Sequence, residues 1–368
     1  MSNQNIPLFK VFMPPTVPDA LRQTLFSGYI AEGEKTAEFS SRVSDFIGNP
    51  RTVLVNSCTT ALTIAYRLAG VGPGDEVLTT PLTSVATNVP ILSLGAKPVW
   101  VDSDVRTGEV DPSDVEKSIT ERTKAILVLH KDGDPARLDE ILEIAAKHRV
   151  KVIEDAAHAF GAKYKGTKIG NHGDYVCFSF QAIKQITTGD GGAILCKDDE
   201  DYLRARKLKW FGVDKLDKST SSPWLRDIPE WGYKGDLNDI ASTIGIEQMR
   251  HIDNITSVHN RNGLLYSRLL GNIPGLTLLE RSDQDFSTFW AYTILVEKRE
   301  DFIMKLSQSG VQASQIHPRN DIWSMFSSSR RALPGVDFFS SREVSLPSGW
   351  WVSEEDVFRV ADIVKGGW

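Results

Sequence analysis

The chain has 368 residues, enough for a large domain and a smaller one with an ample core. Charged residues make up 24% and the formal net charge is -6, a balance that argues against a nucleic-acid footprint while leaving room for local anion sites. The three cysteines, Cys58, Cys177 and Cys196, lack CxxC spacing and read as reduced thiols of a cytoplasmic protein; no signal peptide opens the chain, and no apolar run reaches the roughly 18 residues of a membrane helix.

Strand-like and helical segments alternate from residue 53 onward. A strand over Val53–Val55 leads into a helix over Thr59–Leu68, Glu76–Leu78 precedes a helix over Ser84–Ser93, and Pro98–Val101 precedes a helix over Pro112–Ser118. Ala125–Leu129 is followed by the clearest helix, Pro135–His148, with Leu138, Ile141, Leu142 and Ala145 on one face and a proline permitted in its first turn. Strands over Val150–Ile153, Tyr175–Phe180 and Ala193–Leu195 complete the series. The alternation predicts an α/β fold with a mainly parallel sheet covered by helices. Beyond about Arg250 a long helix, Ile252–Leu270, and a strand, Phe289–Val296, predict a smaller C-terminal α+β domain, so that residues 1–255 form the large domain and residues 256–368 the small one. The polar stretch Asp214–Arg226, with Lys218-Ser-Thr-Ser-Ser222, reads as a mobile loop near the site or as linker.

Three features carry chemistry. Lys184 lies four residues past an apolar strand and just before Gly189, Gly191 and Gly192, so it is expected at the mouth of a core, where desolvation favours a reactive amine. Asp155 ends the run Lys151-Val-Ile-Glu-Asp155, and open α/β sheets bind ligands at the carboxyl ends of their strands. Ser57, Cys58 and Thr59 open a helix directly after a strand, where free N–H groups and hydroxyls bind phosphate. An amine, a carboxylate and a phosphate cradle together describe a site for pyridoxal 5'-phosphate (PLP). Each feature alone has a plain structural alternative: a surface hairpin lysine, an acid capping a helix, an ordinary helix start.

The ordered motifs Glu154-Asp-Ala-Ala-His158, Phe178-Ser-Phe180, Lys184 and Thr187-Thr-Gly-Asp-Gly-Gly192 resemble those of the DegT/DnrJ/EryC1/StrS family of sugar aminotransferases. Gly72-Pro-Gly-Asp-Glu-Val77, Gly95-Ala-Lys-Pro-Val99 with Val101-Asp102, and Gly232-Tyr233 before Asn238-Asp239-Ile240 extend the resemblance from about Gly33 to Pro347. It implies a fold-type I PLP-dependent transferase working as a homodimer, with the site at the interface. The implied reaction moves an amino group, from glutamate, to a keto group on a nucleotide-linked deoxysugar.

By the same resemblance Lys184 forms the imine with the cofactor aldehyde and then shuttles a proton, and Asp155 pairs with the protonated pyridine nitrogen. Ser57, Cys58, Thr59 and Ser179 are the phosphate candidates, Cys58 through its backbone N–H, and His158 falls where relatives contact the cofactor ring. Two positions depart from the pattern. Ser84 stands where many relatives stack an aromatic side chain on the ring. Lys234 follows Gly-Tyr near where many carry an asparagine that reaches the neighbouring subunit's cofactor phosphate. His317, Arg319 and the pair Trp350-Trp351 are candidate substrate contacts. Two rivals are a sugar dehydratase of the same family, whose members replace the imine-forming lysine by histidine, and a regulatory or binding protein that kept the fold without catalysis. Lys184 counts against the first, and Lys184 with Asp155 against the second.

Overall fold

The computed structural model of the chain describes residues 5–215, 222 and 227–368. Seven strands build the central sheet: β1 (Thr52–Val55), β2 (Glu76–Thr79), β3 (Lys97–Trp100), β4 (Thr123–Leu129), β5 (Lys151–Asp155) and, after the short hairpin of β6 (Lys163–Tyr164) and β7 (Thr167–Lys168), β8 (Tyr175–Ser179) and β9 (Gly192–Cys196). Their order is β1-β9-β8-β5-β4-β2-β3. The pairs from β3 through β2, β4 and β5 to β8 are parallel, whereas β9 runs antiparallel to both β8 and β1. The fold is therefore α/β with a mainly parallel sheet.

Strict alternation along these strands feeds two separate cores, because successive side chains of a strand point to opposite faces. Ile126, Val128, Val176, Phe178, Ala193 and Leu195 pack on one face, together with Phe39 and Val43. Ala125, Leu127, Tyr175, Cys177, Ile194 and Cys196 pack on the other, against Ala61, Leu62 and Ala65 of the helix Cys58–Leu68. Cover on both faces explains why the strands read as continuous apolar runs rather than alternating ones.

A second sheet joins β10 (Leu276–Leu278), β11 (Tyr292–Val296) and β12 (Glu343–Leu346) in antiparallel register. Its core includes Tyr266, Tyr292, Ile294, Val344, Val357 and Val360, and also Ile6, which pairs with Val311. The N-terminal segment thus runs along the C-terminal sheet. The helix Ile252–Leu269 starts in the core of the large sheet, at Ile252, and reaches the core of the small one at Tyr266.

Two predicted elements start three residues later than the sequence pattern suggests. The helix expected from Pro135 spans Leu138–His148, because the Ala136 N–H goes to His130 Nδ1 (3.1 Å) and the Arg137 N–H to Glu109 Oε2 (3.2 Å), which keeps both residues out of the helical turn. The strand expected from Phe289 starts at Tyr292. Phe289 has φ 34°, a left-handed value that interrupts an extended chain, and the residues before it run against the turn at Gly133. Within the polar stretch 214–226, residues 216–221 and 223–226 lie outside the described residues.

Candidate active site

The strands β1, β2, β4, β5 and β8 point the same way, so their carboxyl ends share one edge of the sheet. At that edge lies a cavity of about 290 Å³. Its lining brings together Lys184, Asp155, His158, Ser57, Cys58, Thr59, Ser179, Ser84 and His317, residues from five separate stretches of sequence. A larger cavity of about 810 Å³ lies elsewhere, with Glu109, Asp134, Arg137 and Arg281 in its wall. That wall contains no lysine, and its two arginines are already paired with Glu109 and Asp134, so the buried lysine rather than volume selects the candidate site.

Lys184 sits on a tight turn. Its N–H donates to Gln181 O (3.0 Å), and the Ile183 N–H donates to Gln181 Oε1 (3.0 Å). Burial pushes the Lys184 amine down to about 8, against the opposing pull of Asp155, Cys58 and Asp132. A sizeable neutral fraction is then present near neutrality, the form that attacks a carbonyl. Asp155 ends β5 with 3% of its surface exposed. Burial raises its carboxyl above the ordinary range, although Thr87 Oγ1 donates to Oδ2 (2.7 Å) and the Ala157 N–H to Oδ1 (3.1 Å). Such a carboxylate lacks a full counter-charge, which a protonated ring nitrogen would supply.

His158 is held neutral. Burial takes it well below the usual histidine value, with the Lys184, His317 and Lys131 charges adding to the effect. Its Nδ1 accepts the Asp132 N–H (3.3 Å), leaving the proton on Nε2. Asp132 has φ 53°, and its carboxylate accepts from Thr293 Oγ1 (2.6 Å), which ties this turn to β11.

The helix Cys58–Leu68 begins with Ser57 as its cap, Oγ accepting from the Thr60 N–H (3.1 Å). The Cys58 and Thr59 N–H groups precede the first intrahelical bond and face the cavity end of the helix. Gly192 makes that approach possible: a Cβ there would lie 2.6 Å from Cys58 N and 2.7 Å from Ser57 C. Burial raises the Cys58 thiol well above its ordinary range, so this position offers its backbone rather than a thiolate. Ser179 Oγ accepts the Gln181 N–H (3.3 Å) and remains in the lining. Amine, carboxylate and N–H cradle therefore surround one space, a donor set that fits a group carrying an aldehyde, a ring nitrogen and a phosphate.

Ser84 caps the helix Val85–Ser93 by accepting the Ala86 N–H (3.3 Å), so its side chain serves the backbone. Lys234 lies outside the cavity, half exposed; its ammonium pairs with Asp236 and sits 4.5 Å from the Trp210 ring centroid. Arg319 is also outside. Its guanidinium grips Asp321 (2.7 and 2.6 Å) and contacts Asp337. Trp350 and Trp351 are turned to the N-terminal segment, donating to Lys10 O (3.3 Å) and Pro7 O (2.9 Å). The sequence reading missed Thr87, the partner of Asp155, and Trp290, which lines the cavity. Both sit in runs whose pattern reports only secondary structure. Among the described residues no group of His, Cys, Asp and Glu is placed to hold a metal, and no helix is long and apolar enough to cross a membrane.

Comparison with known proteins identifies the family. The model of the DegT/DnrJ/EryC1/StrS aminotransferase family matches residues 16–365, and the chain belongs to that family. It is similar to the UDP-4-amino-4-deoxy-L-arabinose--oxoglutarate aminotransferase of Shewanella sediminis, at 33% identity over 99% of this chain and 98% of the relative. Among solved structures, the sugar aminotransferase CalS13 from Micromonospora echinospora superposes with a TM-score of 0.95 at 38% identity, covering 99% of this chain and all (100%) of the other. The putative sugar aminotransferase Spr1654 from Streptococcus pneumoniae, solved in PLP and PMP forms, is 27% identical, with TM-scores of 0.90 and 0.91 and coverage of 98% of this chain and 98% of its own.

Proposed function

We propose that this aminotransferase uses PLP to move an amino group from glutamate to the keto group of a nucleotide-linked deoxysugar, as a cytoplasmic homodimer. The observation that carries the reading is the convergence of Lys184, Asp155 and the helix start at Cys58 and Thr59 on one cavity. When bound there, the cofactor supplies an aldehyde that accepts an amino group and a protonated ring that draws off electrons. The chain supplies the rest. Lys184 Nζ, partly neutral, would hold the cofactor at its aldehyde and, when free, would carry a proton between neighbouring carbons. Asp155 holds the proton on the ring nitrogen, and Thr87 and the Ala157 N–H hold Asp155. Cys58 and Thr59 N–H groups with Ser57 and Ser179 would anchor the phosphate, and neutral His158 would contact the ring.

The substrate class is supported by the similarity to a relative named for a UDP sugar and oxoglutarate, the keto acid of glutamate. A diphosphate and base also offer remote binding energy to orient the reacting carbonyl. His317 lines the cavity, and we assign it to the sugar. Lys234 and Arg319 lie outside it within one chain; we assign Lys234 to a partner subunit's phosphate, whereas the Arg319 guanidinium is already engaged by Asp321 and Asp337 and is given no substrate contact. All three cysteines are free thiols, which suits a reducing compartment. The test is spectroscopic: protein mixed with PLP should develop an absorbance band that borohydride bleaches, glutamate should convert it, and a nucleotide keto-sugar should restore it in single turnover. Protein that takes up no cofactor would favour a binding role, and equal rates with free and nucleotide-linked keto sugars would remove the nucleotide from the reading.

A further inference from the structure

Trp290 has no part in the machinery described so far, yet it touches most of it. The side chain is 1% exposed and lines the lysine cavity. Its indole N–H donates to Ile183 O (2.7 Å), the carbonyl of the peptide that leads into Lys184. The Lys184 ammonium nitrogen lies 4.0 Å from the indole centroid. The His158 ring stacks on it at 3.9 Å with planes 11° apart, and the Phe9 ring at 4.5 Å with planes 25° apart. At 1% exposure the indole offers a sugar little surface.

Phe9 arrives from the other end of the chain. The N-terminal segment is fastened beside β12 by Ile6 N–H to Gly310 O and Gln312 N–H to Ile6 O (both 2.9 Å), by Leu8 N–H to Gln312 Oε1 (3.2 Å), and by Trp351 to Pro7 O (2.9 Å). A column Phe9, Trp290, His158 therefore runs from the N-terminal segment into the site. The imidazole needs such support. Its one ring bond, from the Asp132 N–H, is long at 3.3 Å.

We infer that Trp290 is a positioning residue of the lysine site, fixing the Ile183–Lys184 peptide through its N–H and the His158 plane through its ring, and that Phe9 completes this wall from the N-terminal segment. The inference rests on Lys184 being the carbonyl-reactive amine, as proposed above. Trp290 also keeps water from that amine, so its loss should change the amine's protonation as well as its placement.

The test uses cofactor-free protein and pyridoxal, which lacks the phosphate and so reports on the amine alone. Capture is trapped with borohydride, located by peptide mass and timed across about pH 6 to 10, with the thermal midpoint measured alongside. Wild-type capture at Lys184 should rise through a midpoint near 8. Trp290→Leu should slow capture about tenfold and move the midpoint upward; Trp290→Phe, which keeps a ring and loses the N–H, and Phe9→Leu should each slow it about threefold. A purely structural role would lower the thermal midpoint and leave the pH midpoint in place, and that result would overturn the inference. So would rates within about twofold of wild type in all folded variants. If Trp290→Leu does not fold, the two milder variants decide. Absence of capture at Lys184 in the wild-type chain would remove the lysine assignment, and this inference with it.

Discussion

Asn320 and Asn88 join their side-chain amides at 2.8 Å in a fully buried position, and through that bond the segment bearing His317 is fastened to the turn bearing Ser84. The pair is fully engaged. Asn320 Nδ2 donates to Thr83 O (2.8 Å), its backbone N–H donates to Pro81 O (2.9 Å), and Asn88 Oδ1 accepts from Thr79 Oγ1 (2.7 Å). Asn320→Ala would leave the Asn88 amide and the Thr83 carbonyl each short of a partner in a dry site. A loss of about 2–4 kcal/mol is expected from orphaned buried polar groups, read as a fall in the denaturant midpoint. The substrate KM should rise as His317 loosens. An unchanged midpoint would mean that water replaces the amide.

Lys184→Ala should abolish transamination and keep the fold, since the side chain makes no structural ion pair and its ammonium is disfavoured by burial. In the wild type, the rate of PLP uptake should increase with pH through about 8, because only the neutral amine attacks the aldehyde. An exposed lysine would show that rise near its ordinary value of about 10.4. Stopped-flow absorbance over a pH series distinguishes the two.

Much of this site was legible because its parts sit at sequence-marked junctions: Asp155 where an apolar strand ends, Ser57 to Thr59 where a strand becomes a helix, Lys184 before a glycine run. The central strands were legible for a related reason, since sheets buried on both faces write themselves as apolar runs. What stayed hidden depends on contacts between distant segments. Nothing in the texture of Phe289–Val296 separates Trp290 from a core aromatic, and only the fold brings Phe9 to it across the length of the chain. Arg319 shows the converse. In sequence it is a free cation beside His317; in the structure Asp321, two residues on, already occupies its guanidinium. The late start at Leu138 likewise reflects acceptors on His130 and Glu109 that no local pattern contains.

Asp155→Asn should bind PLP with little loss and turn over far more slowly. The amide is isosteric and keeps an oxygen for Thr87 or the Ala157 N–H, so the end of β5 should hold its shape. A neutral partner no longer keeps the proton on the ring nitrogen, and the barrier should rise by about 3–4 kcal/mol, as when other preorganised electrostatic contacts are removed. Comparing kcat with the absorbance spectrum of the loaded variant checks this. Near-normal kcat with an unchanged spectrum would reduce Asp155 to a local turn acceptor.

Gly192→Ala probes the phosphate end without touching any group assigned to the chemistry. The added Cβ would come within 2.6 Å of Cys58 N, 2.7 Å of Ser57 C and 2.8 Å of Phe178 O, and all three are backbone atoms that cannot rotate away. Either β9 or the helix start must therefore move. Overpacking of this kind costs about 1–3 kcal/mol of stability, which a thermal or denaturant midpoint will report. Displacing the Cys58 and Thr59 N–H groups should also weaken anchoring of the phosphate, so affinity for PLP should fall by about tenfold or more while affinity for pyridoxal changes little. Equal losses for the two ligands would mean that the helix start does not hold the phosphate, and would return Cys58 and Thr59 to the role of an ordinary capped helix end.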